Sequence, residues 1–211
     1  MKNLALIAAF LFVTTIGYAQ SVNYHEATQK GIGMLDTAKT QSGYLATTSY
    51  FENLATTNDK EWLAQYYAAY SNLLQGIRGK ADEETKDEIY NNALRYINKA
   101  DLLNPNNSEI YVVKAYITFM KMAVYPTKRA MNMIPEANRL LEKAIALNAE
   151  NPRAYLLKGQ NTFYTPEMFG GGKEDAKPFL VTARQKFEKF TAKSLEPNWG
   201  KTRCEELLKE Y

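Results

Sequence analysis

The sequence predicts an all-α fold, a helical-repeat solenoid of about four antiparallel helix pairs closed by a short C-terminal helix. The first observation is an internal repeat. Ala93 to Tyr116 (ALRYINKADLLNPNNSEIYVVKAY) recurs 44 residues later as Ala137 to Gln160 (ANRLLEKAIALNAENPRAYLLKGQ), with nine of 24 positions identical and no gap. The shared residues are Ala93/Ala137, Arg95/Arg139, Lys99/Lys143, Ala100/Ala144, Leu103/Leu147, Asn104/Asn148, Asn107/Asn151, Tyr111/Tyr155 and Lys114/Lys158. They run from the end of one amphipathic helix through a polar turn into the next, which is the signature of a stacked array. The second observation is helical spacing of apolar side chains. Trp62, Tyr66, Ala69 and Leu73 form one stripe and Leu63, Tyr67, Tyr70 and Leu74 the next, a surface wide enough to imply contact on two sides. The third is punctuation: Pro126 forces a break, and Pro135 and Pro152 suit the first turn of a helix.

Taken in order, Met1 to Ala19 reads as a secretory signal peptide: Lys2 supplies the positive start, Leu4 to Val13 the apolar run, and Gly17-Tyr18-Ala19 the small-residue cleavage site. That segment is too short to remain as a bilayer span. The mature chain is therefore expected to begin at Gln20, to reach the periplasm or the extracellular space, and to make no membrane insertion. Helix one covers 21–38 and is diluted by Gly31 and Gly33, each costing about 1 kcal/mol against Ala. Helix two opens at Ser42, carries Tyr44, Leu45, Thr48, Phe51 and Leu54 near helical spacing, and ends at Thr57-Asn58-Asp59. Helix three runs from Lys60 to about Gly76. Helix four starts on Asp82-Glu83-Glu84, acidic residues that favour its dipole, and reaches Leu103. Helix five spans Ser108 to about Met122, helix six opens with Pro135 in its first turn and continues to Asn148, and helix seven runs from Pro152 to Tyr164. The irregular connection Thr165 to Gly172 leads into helix eight, with Pro178 near its first turn and its end at Leu195. Pro197 stops it, and Trp199 to Tyr211 forms the polar cap that a solenoid end requires.

Small residues at Ala93, Ala100, Ala137 and Ala144, large openers at Trp62, Tyr111 and Tyr155, small residues four positions on at Ala115 and Gly159, and turn prolines at Pro105 and Pro197 together resemble the tetratricopeptide repeat. Trp62 departs from the pattern, being followed at that spacing by Tyr66, and the spacings of 44 and then 48 residues exceed the 34 of the family's unit, so each unit carries an insertion or longer helices. The short apolar segment ending in Ala-Gln resembles exported proteins of the Bacteroidetes. In the tetratricopeptide family the first helix of each pair faces the concave side, here helices three, five and seven. With Trp62, Tyr111 and Tyr155 turned to the core, the resemblance sets Leu63, Tyr67, Tyr70, Val112, Tyr116, Phe119, Leu156, Gln160 and Phe163 along one groove, with Tyr164 adjoining. Tyr67, Tyr116 and Phe163 are expected to share it. So many aromatics are either covered by the repeat inserts or offered to a partner, and exposed apolar patches of that size mark interaction sites.

Composition is ordinary, with 45% hydrophobic and 23% charged residues, which excludes disorder. Loss of Lys2 takes the formal charge of +3 to +2, leaving no electrostatic case for nucleic acid or anionic membrane. Cys204 is the only cysteine and His25 the only histidine, so there is no intramolecular disulfide and no zinc site of the usual kind. A Cys204–His25 dyad would require the two ends of the stack to meet. No catalytic constellation and no cofactor motif is present, and an enzyme is not expected. Phe169-Gly170-Gly171-Gly172-Lys173 could present N–H groups to an anion, but Glu174 and Asp175 would repel one, and a tight turn is the plainer reading. Met120, Met122, Met131 and Met133 surround Pro126, where thioethers fill irregular packing more readily than they bind a soft metal. The reading is an exported module that binds a protein or peptide partner. The alternatives are a fixed part of an envelope or transport assembly, or a small-ligand binder.

Overall fold

The computed structural model describes residues 23–211, so the expected signal peptide and the expected start at Gln20 fall outside the described residues. Among the described residues the chain forms nine α-helices and no strand. They are α1 (23–37), α2 (Gln41–Thr57), α3 (Trp62–Arg78), α4 (Glu83–Leu103), α5 (Ser108–Val124), α6 (Pro126–Leu147), α7 (Pro152–Tyr164), α8 (Lys173–Lys189) and α9 (Lys201–Leu208), with one 3-10 turn, Glu167–Phe169.

The repeated residues explain the elements they bound. Asn107 and Asn151 are equivalent N-caps, their Oδ1 atoms accepting from the Glu109 and Arg153 amides at 2.9 and 3.0 Å. Asn104 and Asn148 are the matching C-caps, donating their backbone N–H groups to the carbonyls of Ala100 and Ala144. Ala93, Ala100, Ala137 and Ala144 are fully buried, so small side chains stand where helices touch. Asp82 caps α4 through the Thr85 amide at 2.8 Å, and Thr40 caps α2 through that of Gly43.

Short turns pair α3 with α4 and α5 with α6, and the longer connection 165–172 pairs α7 with α8. The pairs then stack: α5 packs against α3 and α4, and α7 against α5 and α6. Small residues on a first helix seat large ones from its partner. A β-carbon on Gly31 would lie 2.5 Å from the Phe51 ring, one on Gly76 2.4 Å from Tyr90, and one on Gly159 2.7 Å from Leu180. Translation by one repeat also brings equivalent positions together, so that Glu109 and Arg153, 44 residues apart, form an ion pair.

Three boundaries differ from the sequence reading. Helix six begins at Pro126, not Pro135. A proline at the first helical position loses no hydrogen bond there, while Pro135 lies inside the helix at an exposed position and leaves the Met131 carbonyl without its helical donor. Helix eight ends at Lys189 instead of Leu195, because Phe190 turns to extended backbone. Trp199 precedes the terminal helix and is not part of it. Residues 190–200 consequently form an irregular strap across the face made by α3, α5 and α7.

Candidate functional site

The strap is held at several points. The Tyr67 hydroxyl donates to the Leu195 carbonyl at 2.8 Å, and the Trp199 indole N–H to the Tyr66 hydroxyl at 3.0 Å. Arg153, 1% exposed, forms two 2.8 Å hydrogen bonds to Glu109, a third of 3.3 Å to the Trp199 carbonyl, and lies 4.4 Å from the Phe190 ring centre. Gly200 turns the chain into α9 with φ 109°, and any side chain there would strike Leu156 and Phe187 at 2.9 Å. His25 Nε2 lies 2.9 Å from Ser194 Oγ, so the strap does reach the first helix. No Cys204–His25 pair results. Cys204 is buried against α8 with Sγ 3.4 Å from the Leu180 carbonyl, and burial pushes its thiol up to about 11.

Where the strap meets α9, a cavity of about 660 Å³ opens among α3, α5, α7 and the C-terminal elements. Its aromatic wall is Tyr70, Tyr116, Phe119 and Trp199, with Trp199 stacked on Tyr70 at 4.9 Å and 16° and tilted on Tyr116 at 6.4 Å. Leu156, Leu157, Leu74 and Ile77 add aliphatic surface, and Arg78, Gln160, Tyr164, Arg203 and Glu206 supply the polar part. Arg203 joins that set, donating to Gln160 Oε1 at 3.0 Å, the Tyr164 hydroxyl at 2.7 Å and Glu206 at 3.1 Å. Burial raises the pKa of Tyr70 and of Tyr116, the latter against the opposing pull of Gln160, Arg203 and Arg78. Both phenols are neutral donors at physiological pH.

Six residues of the expected groove meet here: Tyr70, Tyr116, Phe119, Leu156, Gln160 and Tyr164. The other four do not line the cavity. Tyr67 is buried under the strap and stacks on Phe51 at 5.2 Å; Val112 is fully buried between repeats; Leu63 packs against the core that α2, α3 and α4 share; and Phe163 sits edge-on to Tyr164 and Tyr211. Tyr67, Tyr116 and Phe163 therefore do not share one groove. The strap separates the first, and the last packs toward α9 and Tyr211 instead. Trp199, Arg78, Arg203 and Glu206 escaped the sequence reading because they come from a helix end and from the terminal segment. The signal available was a Trp between Pro197-Asn198 and Gly200, too large and too apolar for an end cap.

The glycine turn serves the chain itself. The N–H groups of Gly170, Gly171 and Gly172 donate to the carbonyls of Glu167, Pro166 and Thr162, leaving none for an anion, and a β-carbon on Gly171 would lie 2.1 Å from the Thr165 carbonyl oxygen. Of the methionines, Met122 is core, Met120 borders the cavity, and Met131, expected as filling, is 74% exposed. Among the described residues no three His, Cys, Asp or Glu side chains are grouped to hold a metal ion, and no helix is long and apolar enough to cross a membrane.

No protein-family model matches the chain, and no curated protein matches its sequence. Among solved structures the chain is similar to the HusA haemophore from Porphyromonas gingivalis, with 28% identity, a TM-score of 0.78, and coverage of 88% of this chain and 90% of that one.

Proposed function

We propose that this protein is an exported carrier of haem, held in the cavity between α3, α5, α7 and Trp199. The observation that carries the reading is the cavity's make-up, an aromatic wall facing an arginine rim, on a fold similar to a haemophore. Haem is a flat apolar ring with two carboxylates. A volume of about 660 Å³ lies inside the roughly 300–1,000 Å³ range of small-molecule sites. The rings of Tyr116, Phe119 and Trp199 suit the macrocycle, and Arg203 and Arg78 suit its carboxylates through charge-assisted hydrogen bonds. The cavity wall holds neither imidazole nor thiol, since His25 and Cys204 are engaged elsewhere. Among the lining residues, the phenols of Tyr70, Tyr116 and Tyr164 and the thioether of Met120 are of the kinds that would hold a haem iron.

A small ligand is favoured over a peptide because the strap already covers the Tyr66 and Tyr67 part of the face that a peptide would need. The alanine slots and paired Asn caps support a tetratricopeptide-like origin for the repeats, and the signal peptide reading supports export to the periplasm or beyond. The function is carriage, not catalysis. Titration of the purified mature protein with haem should give a saturable shift of the Soret band and quenching of tryptophan fluorescence. Trp199→Ala and Arg203→Gln should each weaken binding by about tenfold or more, since a charge-assisted bond or a buried ring contributes at least that factor. An unsaturable titration, or wild-type affinity in both variants, overturns the assignment.

A further inference from the structure

Beside the first cavity lies a second of about 410 Å³, between the end of α5, the first turns of α6 and the turn that follows α7. No charged residue lines it; Met122, Ala130, Ile134 and Phe169 dominate its wall. Phe119, Ala123 and Tyr164 line both cavities, so the two adjoin along a shared edge. The slot is more than twice the roughly 150 Å³ that accommodates benzene in an engineered cavity, room for a chain and not merely a ring. Its rim is apolar and open to solvent, with Met131 74% and Tyr164 54% exposed. The charge available to a ligand stands at the junction, where Arg203 donates to the Tyr164 hydroxyl at 2.7 Å.

We propose that this slot and its junction with the first cavity bind a long-chain carboxylate, with the head group on Arg203 and the alkyl chain in the slot. An uncharged wall accepts only the uncharged part of a ligand, because a buried unpaired charge is strongly penalised. Flexible methionine side chains conform to a chain of any curvature. The guanidinium at the junction takes a carboxylate through paired donors. Its present partner Glu206 is a half-exposed surface carboxylate, which a ligand carboxylate displaces at little cost. Thr127 lines the slot but not the first cavity, so the slot can be filled at a residue that does not line the haem cavity.

Calorimetric titration of the mature protein with dodecanoate should show one saturable site. Butanoate should bind about a hundredfold or more weaker, for want of buried methylenes. Dodecan-1-ol should bind about tenfold or more weaker, for want of the charge-assisted bond. Thr127→Trp, which fills the slot from an exposed position, should lose dodecanoate by tenfold or more while its haem titration and melting temperature match the wild type. Equal binding of butanoate, equal binding of dodecan-1-ol, or unchanged dodecanoate affinity in Thr127→Trp refutes the proposal. Should that variant unfold, the wild-type comparison of dodecanoate with butanoate decides alone. Loss of haem binding by the wild type would overturn the haem assignment and leave this test intact.

Discussion

Replacing Arg153 by Met tests whether the strap is fastened by the repeat itself. Arg153 is 1% exposed and Glu109 has 17% of its side chain exposed, so the pair is nearly dry. Burial alone would lower the guanidinium pKa, but the bonds to Glu109 more than offset this and raise it. Methionine keeps much of the stem's contact with Phe190 and removes all three hydrogen bonds. Removing one partner of a buried pair costs about 3–5 kcal/mol, chiefly because the other charge is left stranded. Water reaches Glu109, which places the expected loss near the lower end, about 3 kcal/mol. For a chain of this size that is a fall in Tm of roughly 6–12 °C. Urea unfolding followed by circular dichroism measures it, and a double-mutant cycle with Glu109→Gln isolates the coupling. Tryptic cleavage at Lys193 on the strap should also accelerate. A loss under about 1 kcal/mol, or additive costs in the cycle, would falsify the claim that this pair fastens the strap.

Two further outcomes follow from packing and charge. Gly159→Ala drives a β-carbon to 2.7 Å from Leu180 Cγ and Cδ2 and 3.2 Å from its backbone nitrogen, so α7 and α8 must separate. The overpacking cost of about 1–3 kcal/mol equals or exceeds the helix-propensity gain of about 1 kcal/mol, and thermal melting should show a less stable protein; a more stable one refutes the close crossing. Asp87 receives two bonds from Arg129, which also donates to the Lys121 carbonyl at 2.8 Å and so ties α4 to the α5–α6 turn. The hydrogen bond from Arg129 holds the Asp87 carboxyl below its usual range. A depressed pKa contributes stability above the unfolded value of about 3.9 and loses it as pH falls through the lower folded value. The stability gap between wild type and Asp87→Asn should therefore be constant near neutrality and close in acid. A gap that persists at about pH 2 refutes the assignment.

The all-α class, the hairpin pairs and most helix boundaries were legible in the sequence because the repeated residues act locally. Asn107 and Asn151 cap the helices they precede, and Ala100 and Ala144 stand where only a small side chain lets helices meet. The same register brought five residues of the candidate site onto the facing sides of α5 and α7, with Tyr70 joining from α3, since side chains three and four apart on a helix are neighbours whatever the rest of the chain does. The strap was decided by tertiary structure alone. Helical spacing carries on past Lys189, yet Phe190 leaves the helix to lie on Arg153, Leu195 takes a positive φ of 65° outside any helix, and Trp199 reaches Tyr66, 133 residues away on α3. Those contacts are between segments far apart in the chain, and no local pattern encodes them. Which aromatics stay open to a ligand depends on them. Tyr67 is closed by the strap, Phe163 turns aside toward Tyr211, and Tyr70 and Tyr116 are left facing a cavity whose fourth wall is the end of the chain.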